Sequence, residues 1–192
     1  MGDLEDAAFV ERAFAWAQEA FVMIPPKVVE SGFRAYQDRL ADNYAASIKK
    51  NDVRHVVALS SIGADLPAGV GPVSGLHDME RRLNKLGADV LFLRPGFFME
   101  NLLMNIPMIK QLGILGGTLK PDVKLSIIAT ADIGEYGANR LLNMDFSGKT
   151  VQELRGPEDL SMPMVATPSA RRSASPTSST SSSPTRTPGK AW

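Results

Sequence analysis

Cysteine is absent from the chain, and with it go disulfide staples, thiolate nucleophiles and Cys-ligated zinc. Histidine is nearly absent: His55 and His77 are too few for a His-rich metal centre, so no metal is expected. No run approaches the roughly 20 apolar residues that cross a bilayer, and the N-terminus lacks the basic-then-apolar order of a signal peptide. A cytoplasmic protein with no membrane role is expected. Excess charge is missing too, the formal net charge being +0, which removes the basic footprint of direct nucleic-acid binding. The balance is uneven, however. Residues 161–192 hold Arg171, Arg172, Arg186 and Lys190 and no acid, so the first 160 residues are mildly acidic.

What is present is an ordinary globular composition, 44% hydrophobic and 22% charged over 192 residues, enough for one core. Asp6 is placed to cap a helix with apolar positions Val10, Ala13, Phe14 and Ala17. The GDL before it has the character of a strand exit, so the opening reads like the middle of a fold. AFVMIPP (20–26) reads as a buried strand closed by two prolines. A helix follows over about 32–50, with Phe33, Tyr36, Leu40, Tyr44 and Ile48 along one face. HVVALSS (55–61) and ADVLFLRPG (88–96) are continuous rather than alternating apolar runs, the mark of parallel strands covered on both faces. Between them, LHDMERRLNKLG is a helix with Gly87 as its stop. FFMENLLMNI is expected to be a helix ended near Pro107, KLSIIAT a strand, the segment from Asp132 to Asn143 a helix capped by Asp132, and GKTVQEL a last strand. The alternation of buried strand and helix is that of an α/β fold. Beyond Leu160 the Ser/Thr/Pro-rich sequence offers too little apolar surface to offset ordering entropy, and residues 161–192 are expected to be a disordered tail.

Ligands of open α/β sheets bind outside the carboxyl ends of the strands. Three such ends are visible: Ile24-Pro25-Pro26, Ser60-Ser61-Ile62-Gly63 and Arg94-Pro95-Gly96-Phe97-Phe98. HVVALSSIGA, GLHDME, LRPGFFMENLL, TADIGEYGANRLL and GKTVQELRGPEDLS, in that order, together resemble the NmrA-like branch of the short-chain dehydrogenase/reductase superfamily. The resemblance covers residues 2 to about 161. It implies that residues 1–160 are a partial NAD(P)-binding domain, an incomplete Rossmann-type parallel sheet with flanking helices that lacks the first three strands.

By the same resemblance Asp3 and Leu4 would border an adenine. Ile24, Pro25 and Pro26 would pass the ribose and phosphates, and Ser60, Ser61, Pro95, Gly96 and Phe97 would lie near a nicotinamide. The expected activity is NAD(P)H-dependent reduction of a small, aromatic acceptor. The alternative is a non-enzymatic nucleotide-sensing regulator acting through a protein partner. No G-x-G-x-x-G phosphate loop occurs, so this chain alone is not expected to bind NAD or NADP usefully. None of Tyr36, Tyr44 and Tyr136 is followed four residues later by the Lys of the superfamily's Tyr-x-x-x-Lys pair. His77 and Arg81, at i and i+4 of the helix after the Ser-Ser strand, are the candidate catalytic pair; a plain polar start to that helix, with Glu80, Arg81 and Arg82 as its solvated face, is the competing account.

Overall fold

The computed structural model of the chain describes residues 2–27, 32–116 and 120–172. Its centre is a sheet of four parallel strands, β1 (Glu19–Val22), β2 (His55–Leu59), β3 (Asp89–Pro95) and, later in the chain, β6 (Lys149–Leu154), in the spatial order β1-β2-β3-β6. Helices α1 (Ala7–Ala13), α2 (Phe33–Lys50) and α3 (Val73–Leu83) cover one face, and α5 (Thr130–Asn143) the other. Side chains alternate across a strand, and the core divides accordingly. Val22, Val56, Ala58, Val90 and Phe92 meet Tyr36, Leu40, Tyr44, Ile48, Met79 and Leu83 of the helices, while Val57, Leu91 and Leu93 face Ile133 and Phe146. Burial on both faces is why the strands carry unbroken apolar runs.

A smaller sheet is built from β4 (Phe97–Phe98), β5 (Leu125–Ile128) and β7 (Asp159–Leu160), with β4 parallel and β7 antiparallel to β5. A 3₁₀ stretch over Met99–Asn105 and helix α4 (Ile106–Leu112) lie between β4 and β5 of the smaller sheet, and neither contains a buried residue. Among the described residues no helix is long and apolar enough to cross a membrane.

Several boundaries differ from the sequence expectation, each for a local reason. Asp6 caps α1 by accepting from the Ala8 amide at 2.9 Å, but the helix stops at Ala13 because the chain turns through Trp16 at φ 71°. β1 ends at Val22, before Pro25 and Pro26, which have no N–H for a ladder. α3 begins at Val73 and ends at Leu83, several residues before Gly87. Pro107 opens α4 rather than ending a helix, since a first-turn residue needs no N–H bond. Asp132 lies in the first turn of α5, whose N-cap is Ala129; the Thr130 amide is taken instead by Glu100. Finally, a helix, α6 (Met162–Arg172), occupies the start of the segment expected to be disordered, with Pro163 tolerated in its first turn. The remainder of the expected tail, 173–192, lies outside the described residues.

Leu40 is fully buried between α2 and the sheet. Leu40→Ala should lower the unfolding free energy by about 2–5 kcal/mol, read as a reduced urea midpoint at unchanged slope.

Candidate functional site

The carboxyl ends of β1, β2 and β3 open on one cavity of about 650 Å³. Each strand exit is fixed by a specific bond. Past β1, the Tyr44 hydroxyl of α2 donates to the Met23 carbonyl at 2.7 Å. Past β2, the Ser60 amide donates to Leu93 O at 2.7 Å and that of Ile62 to Pro95 O at 3.1 Å, which continues the β2–β3 ladder into the cavity wall. Past β3, Gly96 passes so close to β5 that a Cβ there would stand 2.3 Å from the Ser126 carbonyl oxygen. Glycine is required for that crossing.

Behind the wall sits a buried charge. Arg94 stands near the end of a strand whose middle, residues 90–93, is apolar, and its guanidinium grips both oxygens of Glu80 on α3, Nε at 3.0 Å and Nη2 at 2.7 Å. Asp65 lies 3.9 Å away. Hydrogen bonding to Glu80 raises the Arg94 pKa above its already high ordinary value, against the opposing effect of burial. Glu80 Oε1 also accepts the Ser60 hydroxyl at 2.5 Å. Three elements, β2, β3 and α3, are thereby tied at one point.

Leu59, Phe97, Phe98 and Leu125 give the cavity an apolar lining. Its polar groups come from two directions. Ser60, Ser61 and Gln37 belong to the β2, α2 and α3 side; Asn101, Lys124, Arg155 and Asp159 belong to the side of β5, β6 and β7. Ser61 donates its hydroxyl to Ile62 O at 3.0 Å. Gln37 Nε2 donates to Pro72 O at 2.9 Å, while its buried Oε1 meets no donor.

Of the residues singled out in the sequence, Ile24, Pro26, Ser60, Ser61, Pro95, Gly96 and Phe97 line this cavity. Asp3, Leu4 and Pro25 do not. Asp3 instead turns the chain into α1, its carboxylate accepting the Glu5 amide, and Leu4 O accepts from Asn43. His77 and Arg81 also stay outside it: His77 Nδ1 lies 2.7 Å from Ala64 O, and Arg81 is mostly exposed with Asp78 at 3.3 Å. Glu80 is not part of a solvated face, being 5% exposed. Its role had a signal in the sequence: an arginine inside a buried strand demands an acid, and Glu80 is flanked by the core residues Met79 and Leu83.

No family model matches the chain. It is 28% identical over 167 residues to the NAD(P)H azoreductase of Xenophilus azovorans, covering 86% of this chain and 54% of that protein. An NADPH-dependent quinone oxidoreductase from Escherichia coli, solved with NADPH, superposes with a TM-score of 0.76 at 23% identity, over 90% of this chain and 58% of the other. The triphenylmethane reductase of Citrobacter sp., solved with NADP(H), gives 0.72 at 13% identity, over 90% and 59%. The chain thus has the α/β parallel-sheet fold of Rossmann-type reductases, and it spans little more than half the length of these relatives.

Two outcomes follow from the site's bonding. Glu80→Ala leaves the Arg94 guanidinium without its buried partner and should cost about 3–5 kcal/mol in denaturant unfolding. The Tyr44 hydroxyl is pushed up to about 12, chiefly by burial and further by Tyr36. A raised folded-state pKa means its contribution is complete below pH 10 and is lost as pH rises through about 12, on the order of 2–3 kcal/mol in total. Thermal unfolding of the wild type should therefore fall more steeply across that window than unfolding of Tyr44→Phe.

Proposed function

We propose that the cavity is the nicotinamide-and-acceptor compartment of an NAD(P)H-dependent reductase whose acceptor is a small aromatic molecule. The observation that carries this is the cavity's position, at the carboxyl ends of three adjacent parallel strands, with Ser60, Ser61, Gly96 and Phe97 in its wall. The names of the azoreductase, the quinone oxidoreductase and the triphenylmethane reductase support the same chemistry. An apolar space of about 650 Å³ with a few convergent polar groups fits one planar ring with a second beside it. Ser60, Ser61, Pro95 and Gly96 would hold the nicotinamide, which supplies hydride when bound. Leu59, Phe97 and Phe98 would exclude water, and Lys124 would face negative charge developing on the acceptor.

NADPH titration followed by amide NMR tests this. Shifts are expected at Ser60, Ser61, Gly96 and Phe97, saturating only near millimolar concentration, because the backbone donors and helix dipole of a Gly-rich phosphate loop, each worth about 1 kcal/mol or more, are not in this sequence. Shifts that avoid these residues would overturn the assignment. A second reading rests on one observation: among the described residues, neither a tyrosine nor a histidine lines the cavity to hand over a proton. Cavity shifts with NADPH, but no quinone-dependent loss of NADPH absorbance, would make the protein a nucleotide-responsive regulator working through a protein partner.

A further inference from the structure

A hydroxyl has one proton, and what it does toward a ligand depends on where that proton already goes. At the β2 end of the cavity the two hydroxyl protons are spent. Ser60 gives its proton to Glu80 Oε1 at 2.5 Å, and Ser61 gives its to Ile62 O at 3.0 Å. Glu80 cannot return one, because both its oxygens are engaged by Arg94 and it acts only as an acceptor. Gln37 is spent as well, its amide nitrogen committed to Pro72 O and its Oε1 shut away from the cavity against Gly75. The opposite end carries the donors Asn101, Lys124 and Arg155 together with the Asp159 carboxylate.

We propose that the side chains at the β2 end of the cavity form an acceptor-only subsite, selecting a planar ring that carries an N–H or O–H donor, with Glu80 as the positioning residue that fixes the polarity of Ser60. The inference rests on the reading of the cavity as a ring-binding compartment and adds the ring's chemistry and orientation. A primary carboxamide or a hydroxyl on the ring edge fits. A ketone or ester of the same shape leaves Ser60 Oγ buried against a second acceptor, which costs its desolvation without a bond. Ser60 is therefore not an electrophilic donor to an acceptor's carbonyl, the role a serine at a strand end would otherwise suggest. The bond to a carboxylate also enriches Ser60 Oγ in electron density and strengthens it as an acceptor.

The test compares two probes of one shape, nicotinamide and 3-acetylpyridine, which differ in a donor NH₂ against a methyl group. Each is titrated into the whole chain and followed by amide NMR at Ser60, Ser61 and Phe97. Nicotinamide is expected to bind about tenfold more tightly. Ser60→Ala should bring the two affinities together. Glu80→Gln places an amide donor against Ser60 Oγ and frees the serine proton, so the preference should shrink or reverse toward 3-acetylpyridine, which loss of packing alone would not produce. Should Glu80→Gln fail to fold, Ser60→Ala decides the matter, since removing one hydroxyl leaves the Arg94–Glu80 pair intact. Equal affinities in the wild type, or a preference that survives Ser60→Ala, would overturn the acceptor-only subsite while leaving the ring compartment standing. Cavity shifts from neither probe would overturn both.

Discussion

The buried pair between Arg94 and Glu80 is the interaction on which the rest of this site depends. A guanidinium near the end of an interior strand keeps little contact with water, with 15% of the Arg94 side chain exposed, and taking it out of solvent is costly unless its charge and donors are met. Glu80 meets them with both oxygens, and the only way to bring it there is to lay α3 across the ends of β2 and β3. The same carboxylate then collects the Ser60 hydroxyl. One ion pair thus fixes the position of a helix, the exit of two strands and the direction of one proton. Such a pair adds little net stability over an apolar replacement; what it supplies is a single arrangement of the rim.

The sheet that carries this pair was legible in the sequence because its burial is two-sided. HVVALSS and DVLFLRP contain no polar interruption before their ends, and a four-strand parallel sheet with helices on both faces is the arrangement that hides such runs. The faces of α2 and α3 were legible for the same reason, since Tyr36, Leu40, Tyr44, Ile48, Met79 and Leu83 recur at helical spacing. So were the strand ends that line the cavity. Legibility failed where a residue's role is set by a distant partner. Nothing near Asp132 in sequence reveals that Glu100, thirty residues before Thr130, takes that helix's free amide. Pro107 and Pro163 carry the same local signal whether they end a helix or begin one. His77 and Arg81 have the right spacing to share a helix face, but that face turns toward the Ala64 loop and solvent.

The two walls of the cavity are held by different physics. On the β2 side, Ser60, Gln37 and Glu80 are all nearly fully buried and sit on elements packed through the larger core; moving any of them would break a bond out of water's reach. On the other side, Phe97 and Phe98 lead into the 3₁₀ stretch and α4, which bury no residue and expose Met99, Leu103, Met104 and Leu112. Beyond the two-residue pairing of β4 with β5, the anchor there is electrostatic. Both oxygens of Glu100 accept the Thr130 amide, at 3.0 and 3.1 Å, at the start of α5, and hydrogen bonding to the Thr130 side chain first, then to backbone amides, holds the carboxylate pKa below its ordinary value. A wall anchored by an exposed cap shifts at small cost, whereas a wall anchored by a buried ion pair does not. The polarity of the cavity follows that division. The serine acceptors stand on the unyielding side, where the position of a ring can be fixed, and the long side chains of Lys124 and Arg155, with the Asp159 carboxylate, stand on the opposite side, where partners of different length and shape can be met.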